Sequence, residues 1–373
     1  MRILYFSRAY TVHDYRFLQA LGSSCHDTYF LHVENDPVAQ DTRPLPPAVK
    51  PLHWSNKSGS RNVIEDPASA IEEFAAIVAK IQPDVVHAGP VPTCGYIAAM
   101  AQAHPLLVMS WGSDLLIDAD RNESLHNRTC FALNQSDILV ADCNEVADKA
   151  HKLTGYSTDR IVQFPWGVDL DVYKPGADAG LRGLFGKGRS EECFVLLSTR
   201  GWEKSYGILH LLEGFLEAHK VNPSLRLLLL GGGSLQAEIE KFVNRNGLAD
   251  AIRILGQVPA WKLPDYYRAA DLYVSCTLSD GSSISLLEAM ASRLPVIATD
   301  RASNREWIKE SIGGLLVEFG NIAAIRDAIV RISSMSDEQR KHWGDWNLAI
   351  ARERADWKKN FQKLLAAYER IKL

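Results

Sequence analysis

The sequence predicts an α/β protein of two doubly wound, parallel-sheet domains. Three observations carry this. Short apolar runs alternate with longer amphipathic stretches along the chain. The run Leu225-Arg226-Leu227-Leu228-Leu229-Leu230 has almost no polar alternation, as a strand covered on both faces requires. A stretch dense in proline and glycine, 165–189, interrupts the alternation once, near the middle.

The elements follow in order. The chain opens on Ile3-Leu4-Tyr5-Phe6, which lacks the length of a signal-peptide core and reads as a first strand. Further strands are predicted at 28–33, 84–87, 106–110, 138–141 and 161–164, with amphipathic helices at 68–81 and 144–153 among them. Past the linker the pattern restarts with strands at 193–198, 225–230, 252–255, 272–275, 296–298 and 314–317. The segment from 337 onward is helical, with aromatic spacing at Trp343, Trp346, Trp357, Phe361 and Tyr368. The expected division is a domain 1–166, a domain 167–351, and a last helix, about 352–373, packing back on the first domain. Two such sheets offer the carboxyl ends of their strands to a shared cleft, where open α/β sheets bind ligands.

Composition narrows the function classes. A chain of 373 residues, 46% hydrophobic and 23% charged, fits an ordinary two-domain globular protein. Its formal net charge of -4 provides no cationic excess for gripping nucleic acid through phosphates. No run of 18 apolar residues is present, so no transmembrane helix is expected. Six scattered cysteines without a Cys-x-x-Cys pair argue against a disulfide framework and point to a reducing, cytoplasmic setting. The eleven histidines show no His-x3-His spacing, and no metal site is expected.

The chemistry concentrates in Asp280-Gly281-Ser282-Ser283-Ile284-Ser285-Leu286-Leu287-Glu288. It follows a strand, turns through small residues and enters a helix near Ile284. Such a loop aims backbone N–H groups at an anion. Asp280 lies on the loop and Glu288 about a turn into the helix. Both carboxylates can reach a ligand lying across the helix start, which suits a molecule combining hydroxyls with phosphate. The competing reading is a helix cap plus a surface glutamate.

This segment, with Glu288-Ala289-Met290-Ala291 and Leu294-Pro295-Val296-Ile297-Ala298, resembles the family 4 retaining glycosyltransferases, which have the GT-B fold and carry Glu-x7-Glu here. Asp280 replaces the first Glu. The resemblance implies that Glu288 holds the ribose hydroxyls of a nucleotide sugar. It implies that Asp280, with the amides of Gly281, Ser282, Ser283, Ile284 and Ser285, faces the donor sugar and diphosphate. Thr199-Arg200-Gly201-Trp202-Glu203-Lys204 resembles the family loop whose Arg and Lys grip the diphosphate, so Arg200 and Lys204 are expected to stabilise the departing charge. Leu255-Gly256-Gln257-Val258 resembles the segment that recognises the base, which assigns Val258 there. In the first half, Ser110-Trp111-Gly112-Ser113-Asp114 resembles a His-Gly-Ser-Asp motif, with Trp111 standing where relatives often have a sugar-contacting His. His87 ends a family-like strand and is read either as facing the cleft or as structural. The loop after the first strand lacks the paired glycines of many relatives. His13, Asp14 and Arg16 supply a polar cluster there, and with His87, Trp111 and Asp114 they are the acceptor-side candidates; helix capping is the other reading of Asp14.

The resemblance implies transfer of a sugar from a nucleoside-diphosphate sugar, UDP first and GDP next, to a hydroxyl acceptor such as a glycan, a lipid-linked sugar or a small molecule. It implies retention, front-face attack and no cofactor or metal. Two rivals stay open: a GT-B epimerase acting on the nucleotide sugar itself, and a catalytically silent sugar-nucleotide binder. Gly231-Gly232-Gly233-Ser234 is no dinucleotide fingerprint, because Gln236 stands at the third glycine position. Asp118-Ala119-Asp120 and Asp169-Leu170-Asp171 are read as chance Asp-x-Asp tripeptides. Lys358, Lys359, Lys363, Arg370 and Lys372 are either a weak peripheral membrane contact or the solvated face of the last helix.

Overall fold

Two parallel sheets organise the chain in the computed structural model, which describes residues 1–33, 41–55, 67–186 and 193–372. Positions 187–189 of the proline- and glycine-rich stretch, and the side chain of Lys372, lie outside the described residues. One compact unit comprises Met1–Pro165 with Phe361–Leu373, the other Trp166–Asn360.

In the first unit the strands are β1 (Arg2–Ser7), β2 (Asp27–His32), β3 (Lys50–Pro51), β4 (Val85–Gly89), β5 (Leu106–Met109), β6 (Ile138–Ala141) and β7 (Ile161–Gln163). They pair in parallel in the order β3-β2-β1-β4-β5-β6-β7. β3 escapes the apolar pattern because it is two exposed residues long. Its Pro51 is tolerated at a sheet edge, where a missing N–H breaks no inner ladder.

The second unit holds β8 (Phe194–Ser198), β9 (Leu225–Leu230), β10 (Ile252–Gly256), β11 (Leu272–Ser275), β12 (Val296–Thr299) and β13 (Gly314–Val317). Their order is β10-β9-β8-β11-β12-β13, again parallel. β9 shows why its sequence lacks alternation. Leu225, Leu227 and Leu229 enter the apolar layer shared with helices Ile208–Val221 and Ile322–Ser333. Leu228 and Leu230 enter the opposite layer, shared with helix Ile284–Ala291. Each buried leucine contributes roughly 1.5–3 kcal/mol. Arg226 is the polar exception, and its Nη1 donates to the carbonyls of Pro223 and Leu225, both at 2.8 Å.

The last helix runs Trp357–Lys372, starting later than the expected 352. Helix Asp337–Arg354 ends first, and the chain then crosses the second unit in a short bridge: Val168 N donates to Ala355 O at 2.7 Å and Trp357 N to Val168 O at 3.0 Å. From Phe361 onward the helix belongs with the first unit, where Tyr368 is fully buried. Lys358 pairs with Asp171 at 2.5 Å and Lys359 with Asp356 at 3.8 Å, so this end is less cationic than its sequence reads. Among the described residues no helix is long and apolar enough to cross a membrane, and no cluster of three His, Cys, Asp or Glu is placed to hold a metal ion.

Candidate functional site

In the second sheet β8 lies between β9 and β11, so chain direction across the sheet reverses there. The loops leaving β8 and β11 therefore diverge, and the gap between them is where a doubly wound sheet admits a ligand. Both chemistry-bearing segments leave these two strands. Thr199–Gly207 follows β8, and Cys276–Ser283 follows β11 and enters helix Ile284–Ala291.

Arg200 joins them. Its Nη1 donates to Ser283 Oγ at 3.1 Å and Ser285 Oγ at 2.9 Å, and its Nη2 lies 2.7 Å from Asp280 Oδ2. The Tyr206 ring covers the guanidinium, 4.6 Å from Cζ to centroid. Burial by itself lowers the Arg200 pKa; the Asp280 carboxylate outweighs it and the net shift is upward. Arg200 is therefore a fixed cation. Ser283 is the N-cap of the helix but makes no side-chain cap bond; its hydroxyl receives Arg200 instead. The first-turn amides are thus not capped by that hydroxyl, and such amides attract an anion. Asp280 is held from behind, with Ser303 Oγ donating to its carbonyl at 2.9 Å.

Lys204 lies on the turn Lys204–Tyr206 and is exposed; among the described residues no ion pair involves it. The turn is clamped to the β11 loop by Leu278 N donating to Ser205 O at 2.8 Å. Gly207 closes it at φ +63, against the Cys276 carbonyl, where no Cβ fits. The β8 loop is also clamped to the turn after β9: Trp202 N donates to Gly232 O at 2.9 Å and Ser234 N to Glu203 Oε1 at 2.7 Å. This explains the glycine-rich turn 231–234, since a Cβ on Gly231 would strike the Arg200 carbonyl.

Glu288 is partly exposed on the helix, and Tyr267 Oη donates to its Oε2 at 2.8 Å. No motif pointed to Tyr267, which lies in helix Leu263–Ala269 within an ordinary-looking Tyr-Tyr pair. Gly281, Ser282 and Ser283 are buried in the loop and Ile284 and Ser285 open the helix, so the five predicted amide donors share one short segment. Val258 sits just past β10 with its side chain against the apolar core, which leaves its backbone as the group that can meet a ligand.

In the first unit three candidates, Asp14, His87 and Asp114, are buried. The segment expected as a loop turns helical at Val12–Gly22, capped by Thr11. Asp14 is the third residue of that helix and closes a capping box: Thr11 N donates to Asp14 Oδ2 at 2.8 Å and Thr11 Oγ1 accepts from Asp14 N at 3.3 Å. Fully buried, Asp14 also accepts from Tyr5 Oη at 3.2 Å, and burial raises its pKa to about 6 despite these bonds. Asp14 thus caps its own helix and is buried. His13 and Arg16 lie partly exposed on the same helix.

His87 is buried as well. Its Nδ1 lies 2.6 Å from Tyr368 Oη and its ring stands edge-on to Tyr5 at 4.7 Å. Burial lowers its pKa to about 3. The C-terminal helix supplies that Tyr368 contact. Asp114 is a buried staple: Oδ1 accepts from Ser110 Oγ at 2.7 Å and Trp111 N at 2.9 Å, and Oδ2 from Val91 N at 2.9 Å. It ties the β4 and β5 loops together, while burial raises its pKa. Trp111 and His13 stack edge-on, 5.9 Å apart, and these two remain at the carboxyl end of the first sheet.

Known proteins resemble this chain in both units. Residues 193–335 match the model of the glycosyl transferases group 1, and residues 2–142 match a glycosyl transferase 4-like model. A D-inositol 3-phosphate glycosyltransferase of Geodermatophilus obscurus is 30% identical over 250 residues, 63% of this chain and 52% of that protein. The chain thus spans about half the length of that curated relative. Among solved structures, sucrose-phosphate synthase of Thermosynechococcus elongatus superposes with a TM-score of 0.82 at 18% identity, covering 100% of this chain and 99% of its own. Anabaena HepE, solved with UDP, superposes with a TM-score of 0.78 at 15% identity, covering 99% of this chain and 100% of its own. The second unit thus matches the glycosyl transferases group 1 model and the first the glycosyl transferase 4-like model, and with its two parallel-sheet units the chain has the GT-B fold of its solved neighbours.

Proposed function

We propose that this chain moves a sugar from a nucleoside-diphosphate sugar, a UDP-sugar before a GDP-sugar, to a hydroxyl acceptor, with retention of configuration and without a metal ion. The observation that carries the reading is the convergence of Arg200, Asp280 and Glu288 on the divergent loops of β8 and β11. The diphosphate suits Arg200, Lys204 and the amides 281–285, the pentose suits Glu288, and the base suits the backbone at Val258. HepE, of the same fold, was solved with UDP, which supports uridine. The name of the Geodermatophilus relative supports a small polyol phosphate as one acceptor to try. Six free cysteines support a reducing, cytoplasmic setting.

In this reading the bond from the anomeric carbon to the diphosphate oxygen breaks while a bond to the acceptor oxygen forms on the same face. The acceptor proton passes to the leaving phosphate oxygen. Arg200 and Lys204 meet the charge that grows on that phosphate, so the protein contributes positioning and fixed charge rather than a nucleophile.

The test is nucleotide release from UDP-glucose, UDP-N-acetylglucosamine and GDP-mannose, with and without inositol phosphate, sugar phosphates and glycans. Release that depends on an acceptor, with a product anomer matching the donor by NMR, is expected. No release with any pair, together with no calorimetric binding of UDP or GDP, overturns the proposal.

A further inference from the structure

We infer that Tyr267 is a positioning residue that sets the carboxylate of Glu288 for reading a ribose 2′-hydroxyl; this rests on the donor-site reading above. Tyr267 is 0% exposed, and its hydroxyl reaches the site. Three oxygens surround that group: Glu288 Oε2 at 2.8 Å, Thr199 Oγ1 at 3.0 Å and the Ser285 carbonyl at 3.2 Å. A phenol has one proton to donate. The ionised carboxylate is the nearest and strongest acceptor, so the proton goes to Glu288. The Thr199 hydroxyl then donates into the Tyr267 oxygen, which fixes the direction of the phenolic O–H.

The phenol also stays a donor. Burial raises its pKa well above the ordinary tyrosine value, and the adjacent Glu288 charge raises it further. Its ring is fixed by Tyr173 edge-on at 5.7 Å and by Tyr273 at 5.9 Å, so the hydroxyl has little freedom to follow a moving carboxylate. Glu288, by contrast, is a partly exposed side chain with three rotatable bonds. Held at Oε2, it presents the rest of its carboxylate in one orientation, and the ordering entropy is met before the nucleotide arrives. The tyrosine thereby ties the loop of β8, through Thr199, to the one group that would recognise the pentose.

Tyr267→Phe deletes the hydroxyl and keeps the ring. The readout is calorimetric affinity for UDP and for 2′-deoxy-UDP. In the wild type UDP is expected to bind about tenfold or more tighter, as one hydrogen bond to a charged group implies. In Tyr267→Phe the UDP affinity falls about fivefold to tenfold while 2′-deoxy-UDP binds as before, so the preference collapses. Glu288→Ala should abolish the preference, and adding Tyr267→Phe to it should change nothing more. If Glu288→Ala keeps the wild-type preference, the ribose assignment itself is wrong. If Glu288→Ala loses it but Tyr267→Phe retains it, or weakens both ligands equally, the positioning role is overturned and Tyr267 is only packing. Should Tyr267→Phe not fold, Thr199→Val decides in the same assay: a preference lowered about twofold to threefold supports the role, and an unchanged one overturns it.

Discussion

Asp280 Oδ2 stands 2.7 Å from the Arg200 guanidinium, with the two side chains 28% and 13% exposed. The pair shares its cation with two serines at the mouth of helix Ile284–Ala291. Arg200→Ala removes the cation proposed to face the departing phosphate and is expected to cut turnover about 10²-fold. It also leaves a part-buried carboxylate alone, costing about 1–3 kcal/mol of stability. Because the residues are coupled, Arg200→Ala with Asp280→Ala should cost less stability than the sum of the singles. Strictly additive unfolding free energies would show that the pair contributes nothing as a unit.

Lys204 separates function from stability. It is exposed, so Lys204→Ala should unfold within about 0.5 kcal/mol of the wild type. Its expected loss of turnover is still about 10²-fold. Unchanged kcat at saturating donor would remove Lys204 from the diphosphate grip.

Gly207 tests the clamp between the two loops. Gly207→Ala places a methyl group at φ +63 into the Cys276 carbonyl, a fixed backbone atom. The backbone conformation alone costs about 1 kcal/mol and the collision adds more. We expect a lower Tm and weaker UDP binding together, since the β8 loop must part from the β11 loop. A variant with wild-type Tm would mean that the loops are not held this way.

Two buried groups in the first unit give opposite pH slopes. His87 titrates near 3 folded and near 6.5 in its ordinary state. Between those values the unfolded chain takes up a proton that the folded chain refuses, so stability falls as pH drops from about 6.5 toward about 3. Asp14 titrates near 6 folded against 3.8 ordinarily. Between those values the folded chain keeps a proton that the unfolded chain lacks, so stability falls as pH rises from about 4 to about 6. Asp114, also raised by burial, acts in the same direction as Asp14. Asp14→Asn removes one of the opposing slopes. From pH 6 to pH 4 it should lose about 1–3 kcal/mol more than the wild type does, measured by urea unfolding. Parallel profiles for variant and wild type would refute the assignment.

Chelation addresses the diphosphate directly. With Arg200 and Lys204 as the proposed counter-charges, EDTA should leave turnover within about twofold of untreated protein. A loss restored by added Mg²⁺ or Mn²⁺ would show that a metal shares their task.

The sheets were legible in the sequence because their strands are buried on both faces and written as apolar runs; β9 is the clearest case. The Arg200, Lys204 and Glu288 segments were singled out by their resemblance to a family motif, and the structure brings Arg200 onto Asp280 and the helix start that leads to Glu288. Folding decided what side-chain type alone leaves open. Asp14, His87 and Asp114 are polar residues on or soon after strands of the first sheet, where a ligand contact was expected. Yet each is turned inward by a partner distant in the chain or by burial: Tyr5 for Asp14, Tyr368 for His87, Val91 for Asp114. Tyr267 shows the reverse, an unremarkable helix residue that reaches Glu288 because its helix and helix Ile284–Ala291 pack into one apolar layer of the second unit. Periodicity records which face of an element is buried, since burial acts on every turn or every second residue. Which polar group meets which depends on pairings between distant segments, and those exist only once the chain has folded.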